Sequence, residues 1–150
     1  MRTVVAVRSE LTGQVLDSAG ECVTIEPTSK ESLYMWVSFN APQILLLDEG
    51  IGAGAWKALS EVPRLCGLSP QTKVILLADG LDERRERLAA MAGCYDAIDV
   101  SDSSWPADLE ESLRYARRRV RLLGQLVQVA ASGDVVSVFR HKSASIPHLG

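Results

Sequence analysis

Cysteine and histidine are scarce in this sequence, with three and two copies among 150 residues. Cys22, Cys66 and Cys94 lie far apart and show neither a C-x-x-C pair nor metal-ligand spacing with His141 and His148. This pattern argues against a disulfide framework and against a zinc site. We expect the cysteines to be reduced thiols in the core of a cytoplasmic protein that holds neither a metal nor another cofactor.

A surplus of positive charge is absent as well, because 16 Lys and Arg residues stand against 19 Asp and Glu residues. Nucleic acids and anionic membranes attract basic surfaces, so neither is expected as a partner. No apolar run approaches the roughly 20 residues of a membrane span. The first residues, M-R-T-V-V-A-V-R, become charged too early for a signal peptide. The 47% hydrophobic content is nevertheless sufficient for one globular core.

Short apolar runs alternate with segments long enough for a helix. The five runs occupy residues 3–7, 22–25, 44–47, 74–78 and 95–100. Such alternation predicts an α/β fold, a flavodoxin-like five-stranded parallel sheet in the order 2-1-3-4-5. We predict that Ser9 caps the first helix, that the second begins near Ser29, and that the third and fourth span residues 55–65 and 81–92.

The third run ends on an acidic pair, Asp48 and Glu49. Ligands and reacting groups collect just beyond the carboxyl ends of strands in open parallel sheets, so Asp48 is the first candidate functional residue. The glycines that follow, at residues 50–54, do not form a G-x-G-x-x-G after the first strand, and we predict a flexible loop there.

The strand pattern resembles the receiver domains of bacterial response regulators over roughly residues 1–119. The segment P-Q-I-L-L-L-D, at residues 42–48, is similar to the receiver strand that ends on the phosphate-accepting aspartate. V-I-L-L-A, at residues 74–78, and L-A-A-M-A-G-C-Y-D-A-I-D, at residues 88–99, resemble the family's later elements. The resemblance implies that Asp48 occupies the phosphoacceptor position.

The resemblance also implies that the partners of that aspartate are missing. Receivers carry two acidic residues after the first strand, and these positions are Arg8 and Ser9. The hydroxyl residue of the fourth strand is replaced by Leu77, and the lysine of the fifth strand by Ile98. A guanidinium at a metal position repels Mg²⁺. We therefore expect a pseudoreceiver without phosphoryl-transfer chemistry.

Two arrangements of Arg8 remain open. Arg8 can pair with Asp48 and replace the metal, because strands one and three are neighbours in the predicted sheet. Alternatively, Arg8 points into solvent and Asp48 caps the following loop. Glu10 can replace one missing acid if the first loop shifts by a residue.

A long last helix is predicted at residues 106–131, beginning with Pro106 and followed by acidic residues. Its apolar residues recur with alternating spacings of four and three. The first part, through Ala116 or Val120, can pack on the sheet, and the rest favours a homodimer or a docked partner domain. An arginine run at positions 114, 117, 118, 119 and 121 is interpreted as a solvated face. The predicted seam comprises Leu109, Leu113, Ala116, Val120, Leu123, Val127 and Ala130.

Residues 132–150 are predicted to be a tail or the start of a following module. The segment Q-L-V-Q-V-A-A-S-G-D-V-V-S-V-F, at residues 125–139, is similar to the opening of PAS domains. It also resembles the strand before the phosphate loop of Tad-type pilus-assembly ATPases. Lys142, Ser143, Ala144 and Ser145 lack the glycines of a phosphate loop, so ATP binding is not expected.

Three function classes follow. The leading one is a non-catalytic signalling module that contacts a partner signalling protein through the face between helices four and five. The second is a receiver that still accepts phosphate on Asp48. An amino-terminal localisation domain of a Tad-type ATPase is a further form of the signalling class, and the third class is a small enzyme with Asp48 and Glu49 as acid and base.

Overall fold

The computed structural model describes residues 2–52 and 54–131, with side chains as far as residue 126. Five parallel strands form one sheet in the order β2-β1-β3-β4-β5, which confirms the predicted flavodoxin-like topology. The strands are β1 (Thr3–Ala6), β2 (Val23–Thr24), β3 (Ile44–Asp48), β4 (Lys73–Ala78) and β5 (Asp96–Asp99). β2 is shorter than predicted, because it lies at the edge of the sheet and both of its residues are exposed.

Helices connect the strands and cover both faces of the sheet. The helices are α1 (Ser9–Ala19), α2 (Lys30–Asn40), α3 (Ala58–Leu68), α4 (Glu83–Ala92) and α5 (Trp105–Ala131). Ser29 and Ser32 form a capping box at the start of α2, as expected for a helix beginning near Ser29. α3 begins three residues later than predicted, after Lys57 in an extended conformation.

The predicted cap of α1 is wrong by one residue. Ser9 is the first helical residue, and Arg8 occupies the cap position without a side-chain capping bond. The physical reason is that Arg8 keeps an extended backbone, with φ −63° and ψ 153°, while its N–H bonds to Asp48 of the neighbouring strand.

Alternate strand residues build two hydrophobic clusters. Val5, Leu46 and Leu77 belong to the cluster that α1 and α5 cover. Val4 and Leu45 belong to the cluster that α2 and α3 cover. Because every residue of β3 is buried, this strand has the unbroken apolar run that its sequence showed. The three cysteines form no disulfide and are half-buried against these clusters, so they lie at the margin of the core in which we expected them.

The amino-terminal part of α5 belongs to the core of the sheet domain. Leu109, Leu113 and Ala116 are at most 1% exposed. These three residues of the predicted seam are therefore unavailable to a partner, because their side chains pack within the domain itself. The chain divides into two compact units between Ala116 and Arg117, while the predicted domain end at residue 119 stays a prediction.

In the second unit, α5 continues to Ala131. Leu122 and Leu123 are 55% and 51% exposed, and Val120 is half-buried. The predicted seam residues Val127 and Ala130 lie beyond the described side chains, and the predicted tail at 132–150 lies outside the described residues. Within the described part, no helix has both the length and the apolarity to cross a membrane.

Candidate functional site

Asp48 ends β3 and has no exposed surface. Its Oδ2 atom accepts hydrogen bonds from the backbone N–H of Arg8 at 3.0 Å and from the Nε of Arg8 at 2.8 Å. Its Oδ1 atom accepts a bond from the backbone N–H of Gly50 at 2.9 Å. Both carboxylate oxygens are thus held by donors of the chain itself.

The Arg8 guanidinium bridges two carboxylates at the carboxyl edge of the sheet. Besides its contact with Asp48, it donates from a terminal nitrogen to Oδ2 of Asp79 at 2.7 Å. The bond to Asp79 is the largest cause that raises the pKa of Arg8; burial opposes it, and Asp48 adds to the rise. The side chain is 30% exposed, so the solvent-facing alternative for Arg8 is wrong. The loop contact of that alternative is nevertheless present, between Asp48 and Gly50.

The loop after β3 is closely packed at two of its glycines. A Cβ atom on Gly50 would lie 3.3 Å from Cζ and Nε of Arg8 and 3.5 Å from Oδ1 of Asp48, so the Arg8 side chain would have to shift slightly. A Cβ atom on Gly52 would collide with the carbonyl oxygen of Trp56. Close packing therefore accounts for Gly52 in the loop that we predicted to be flexible.

A second arginine connects α4 to the same edge. Arg85 pairs with Glu49 and also donates to the carbonyl oxygens of Asp79 at 2.9 Å and Gly80 at 2.6 Å. One side chain thus joins the ends of β3 and β4 to the first turn of α4. This arrangement commits Glu49 to an ion pair instead of leaving it free as an acid or base.

The remaining predicted positions offer no polar group to Asp48. Leu77 and Ile98 are 0% and 5% exposed and belong to the core beneath α1 and α5. They supply neither a hydroxyl nor an ammonium group. Ser9 and Glu10 are exposed at the start of α1.

Asp99 holds the loop between β4 and α4. Its carboxylate accepts bonds from the backbone N–H groups of Gly80 and Leu81, at 2.9 and 3.0 Å, and from both the N–H and the hydroxyl of Ser101. These bonds favour the charged form and lower the pKa of Asp99 to about 2, with the Ser101 hydroxyl as the largest cause.

Sequence reasoning missed Asp79 and Arg85. Asp79 directly follows the predicted fourth strand, so its place at the same sheet edge as Asp48 was available as a signal. Arg85 offered no comparable signal, because its partner Glu49 is 36 residues away in the chain.

The residues around Asp48 do not fit a magnesium ion. Mg²⁺ requires several oxygen ligands in octahedral geometry, whereas Oδ2 of Asp48 is occupied by two nitrogen donors of Arg8. Among residues 2–52 and 54–131, no group of three acidic, cysteine or histidine side chains is placed to hold a metal ion. The positive group at this site is the guanidinium.

Solved structures share this fold, with its sheet order and its five covering helices. A response-regulator receiver domain protein from Clostridium thermocellum matches with a TM-score of 0.63 and 15% identity, covering 82% of this chain and 99% of that one. The fold is that of a response-regulator receiver domain. The resemblance stated from the sequence is thus confirmed for the fold.

Two further receiver-fold matches have similar coverage. A response regulator from Thermotoga maritima has a TM-score of 0.61 and 18% identity, over 77% of this chain and 95% of that one. A CheY-like protein, TadZ, from Pseudomonas aeruginosa PAO1 has a TM-score of 0.58 and 22% identity, over 77% and 98%. No family model matches the chain, and no curated protein does. At these identities the comparisons establish the fold.

Proposed function

We propose that this chain is a signalling module with a receiver fold that does not take part in metal-dependent phosphoryl transfer and instead acts through protein contacts. The observation that carries the proposal is the Arg8 guanidinium bonded to Oδ2 of Asp48 at 2.8 Å. The site then holds a fixed charge of the chain where a receiver requires a removable metal ion.

Phosphoryl transfer to Asp48 would need a free carboxylate oxygen and cations to neutralise the transferred group. Arg8 and Gly50 donors occupy the oxygens, and Leu77 and Ile98 present only apolar groups. Freeing the carboxylate would break the contact of a buried acid with its charged partner. The arrangement therefore supports one fixed state.

Protein contacts are the remaining route for a signal. On the α4 to α5 face, Tyr115 is an aromatic side chain with 54% exposure. Exposed apolar side chains also occur elsewhere on α4, where Leu88 is 41% and Met91 80% exposed. We propose that a signalling partner or a downstream domain contacts this face. We further propose that the second half of α5, through Val120 and Leu123, forms a homodimer. The free cysteines favour a reducing cytoplasm as its compartment.

The test is incubation of the chain with acetyl phosphate and Mg²⁺, followed by intact-mass measurement. The expected result is an unchanged mass for the wild type and for Asp48→Asn. An active receiver, treated in the same way as a positive control, gains a phosphoryl group. A beryllofluoride titration followed by tryptophan fluorescence gives a second readout, with no change expected. An adduct that maps to Asp48 and disappears in Asp48→Asn would replace the proposal with a phosphorylatable receiver.

The similarity to the CheY-like protein TadZ favours a second candidate function. In this case the chain would be the localisation domain of a Tad-type pilus-assembly ATPase, and Asp48 would again be structural. The coding sequence after Gly150 tests this candidate. A phosphate-binding glycine loop followed by Lys and Ser or Thr would support it, and a PAS-like or other sensory module would contradict it.

A further inference from the structure

An open groove of about 380 Å³ lies between α4, β5 and the beginning of α5. The residues around it are unusual for their charge, since carboxylates come from both helices, from the strand and from the loop after it. We call it the acidic groove. Its carboxylates are Glu86, Asp96, Asp99, Asp102, Asp108 and Glu111.

The ion pairs of Arg8, Arg85 and Arg87 do not use this charge. They join these three arginines to acids outside the acidic groove. Within it, Asp102 and Asp108 accept hydrogen bonds from Ser104, which orient the carboxylates without neutralising them. Asp99 contributes its charge, while its oxygens accept bonds from Gly80, Leu81 and Ser101. Like charges held close together favour binding of a cation.

A second feature points to a ligand at the same place. Ser112 lines the acidic groove and is only 5% exposed. Its Oγ is the one buried side-chain oxygen or nitrogen in the described part of the chain that has no hydrogen-bond partner. Buried polar groups normally have partners, because leaving one unpaired destabilises the fold. A hydroxyl in this position can accept a hydrogen bond from a cationic donor in the acidic groove.

The shape of the acidic groove selects the kind of cation. In the described part of the chain its carboxylates do not converge in threes at a metal-binding distance. A planar guanidinium suits separated acceptors, because it offers several N–H donors in different directions and binds carboxylates in pairs. Tyr115, which is 54% exposed, adds an aromatic ring on which a guanidinium can stack.

We propose that the acidic groove binds an arginine side chain carried by a segment of a partner protein. The inference rests on the proposed function and adds to it the chemistry of the partner at the α4 to α5 face. Arg is preferred to Lys at this position, because the ammonium group is a compact, strongly hydrated point charge with fewer donors.

The test is a titration of the full chain with tetra-arginine and tetra-lysine peptides at low salt, followed by amide NMR. Tetra-arginine is expected to bind about fivefold more tightly than tetra-lysine and to shift the amide signals of Ala97, Ser112 and Tyr115. Glu111→Gln is expected to weaken it about threefold. Ser112→Ala is expected to weaken it by a similar factor without loss of helix content.

Glu110→Gln is the matched control, because it removes the same charge from the neighbouring residue of α5, which does not line the acidic groove. Equal weakening by Glu110→Gln and Glu111→Gln would overturn the proposal in favour of diffuse attraction. Equal affinity for the two peptides would overturn it as well. The proposal would also be overturned if Mg²⁺ reproduced the signal shifts caused by the peptide. It would be overturned as well if the chain self-associated and Glu111→Gln abolished that self-association.

The outcome is independent of the chemistry at Asp48. If neither peptide binding nor an Asp48 adduct is found, the proposal that the acidic groove binds arginine is wrong and the proposed function stands. If an adduct forms at Asp48 while Glu111→Gln selectively weakens tetra-arginine binding, the groove stands and the proposed function fails.

Discussion

Asp48 and Arg8 are coupled because each would be costly to leave alone. Asp48 is fully buried, so removal of Arg8 would leave a carboxylate without water and without its charged partner. Arg8 retains Asp79 and partial solvent contact, so removal of Asp48 is less costly for it. This asymmetry predicts that the buried acid depends more on the guanidinium than the reverse.

We expect Arg8→Met to lower the free energy of unfolding by about 2–4 kcal/mol. This range is reduced from that of a fully buried pair because the Arg8 side chain is 30% exposed. The double variant Arg8→Met/Asp48→Asn should lose less free energy of unfolding than the two single variants lose together. The difference, which is the coupling free energy, should be about 1–3 kcal/mol. Urea unfolding of the four proteins measures this cycle.

Arg87→Met is the control for this cycle. Arg87 pairs with Glu83 on the surface of α4, where the two side chains are 72% and 87% exposed. Its loss should change the free energy of unfolding by at most about 0.5 kcal/mol. Strict additivity of Arg8→Met and Asp48→Asn would contradict the coupling.

The connection between β4 and α4 depends on an acceptor from β5 and a donor from α4. Asp99 at the end of β5 binds the amides of Gly80 and Leu81, and Arg85 of α4 binds the carbonyls of Asp79 and Gly80. Gly80 has a positive φ of 71°, which its neighbours in the loop avoid. The loop is therefore held at both its N–H and its C=O groups.

Asp99→Asn tests this connection through its pH dependence. The pKa of Asp99 is lowered from 3.8 to about 2, so the charged form stabilises the fold above about pH 4. This contribution is lost as the pH falls through 3.8 toward about 2. The wild type should therefore be more stable than Asp99→Asn at neutral pH, and the difference should shrink over that acid range.

Urea midpoints at a series of pH values provide the measurement. Ser101→Ala, which removes the largest cause of the shift, should reproduce part of the loss at neutral pH. A difference between wild type and Asp99→Asn that stays constant from neutral pH to pH 2 would contradict the role given to the carboxylate.

The elements differ in how far their sequence determines them. β3 and β4 were predictable, because strands buried on both faces need unbroken apolar runs. The start of α3 was not, since the helix begins only after Lys57, whose backbone is extended. The spacing of Leu109 and Leu113 predicted an apolar stripe on α5, but the same spacing serves a sheet and a coiled coil equally well.

The site shows the same limit. The position of Asp48 follows from strand order alone, and adjacency of β1 and β3 made a contact with Arg8 one of two arrangements. Choosing between them required side-chain geometry. The bond from Arg85 to Glu49 depends on how α4 lies over the strand ends, which no local sequence pattern encodes.

At the scale of the whole molecule, the receiver fold is kept while polar groups are redistributed over its surfaces. Ion pairs occupy the carboxyl edge of the sheet, and six acidic residues line the acidic groove. On the proposed function, the chain passes its signal through binding, and the partners that we propose, a signalling protein and a second copy, determine the outcome.

Self-association through the second half of α5 is the corresponding prediction. Light scattering should give the full chain a mass of about twice 16.3 kDa, and a chain shortened to residues 1–119 the mass of a monomer. Leu123→Glu should also give a monomer, because it places a charge in the apolar seam. The Leu123 side chain is 51% exposed in the single chain, so the charge does not disturb the monomer. Gln125→Glu adds the same charge outside the seam and should leave the dimer intact. If the full chain and the shortened chain were both monomers over the whole concentration range, the heptad spacing beyond Ala116 would have no role in pairing.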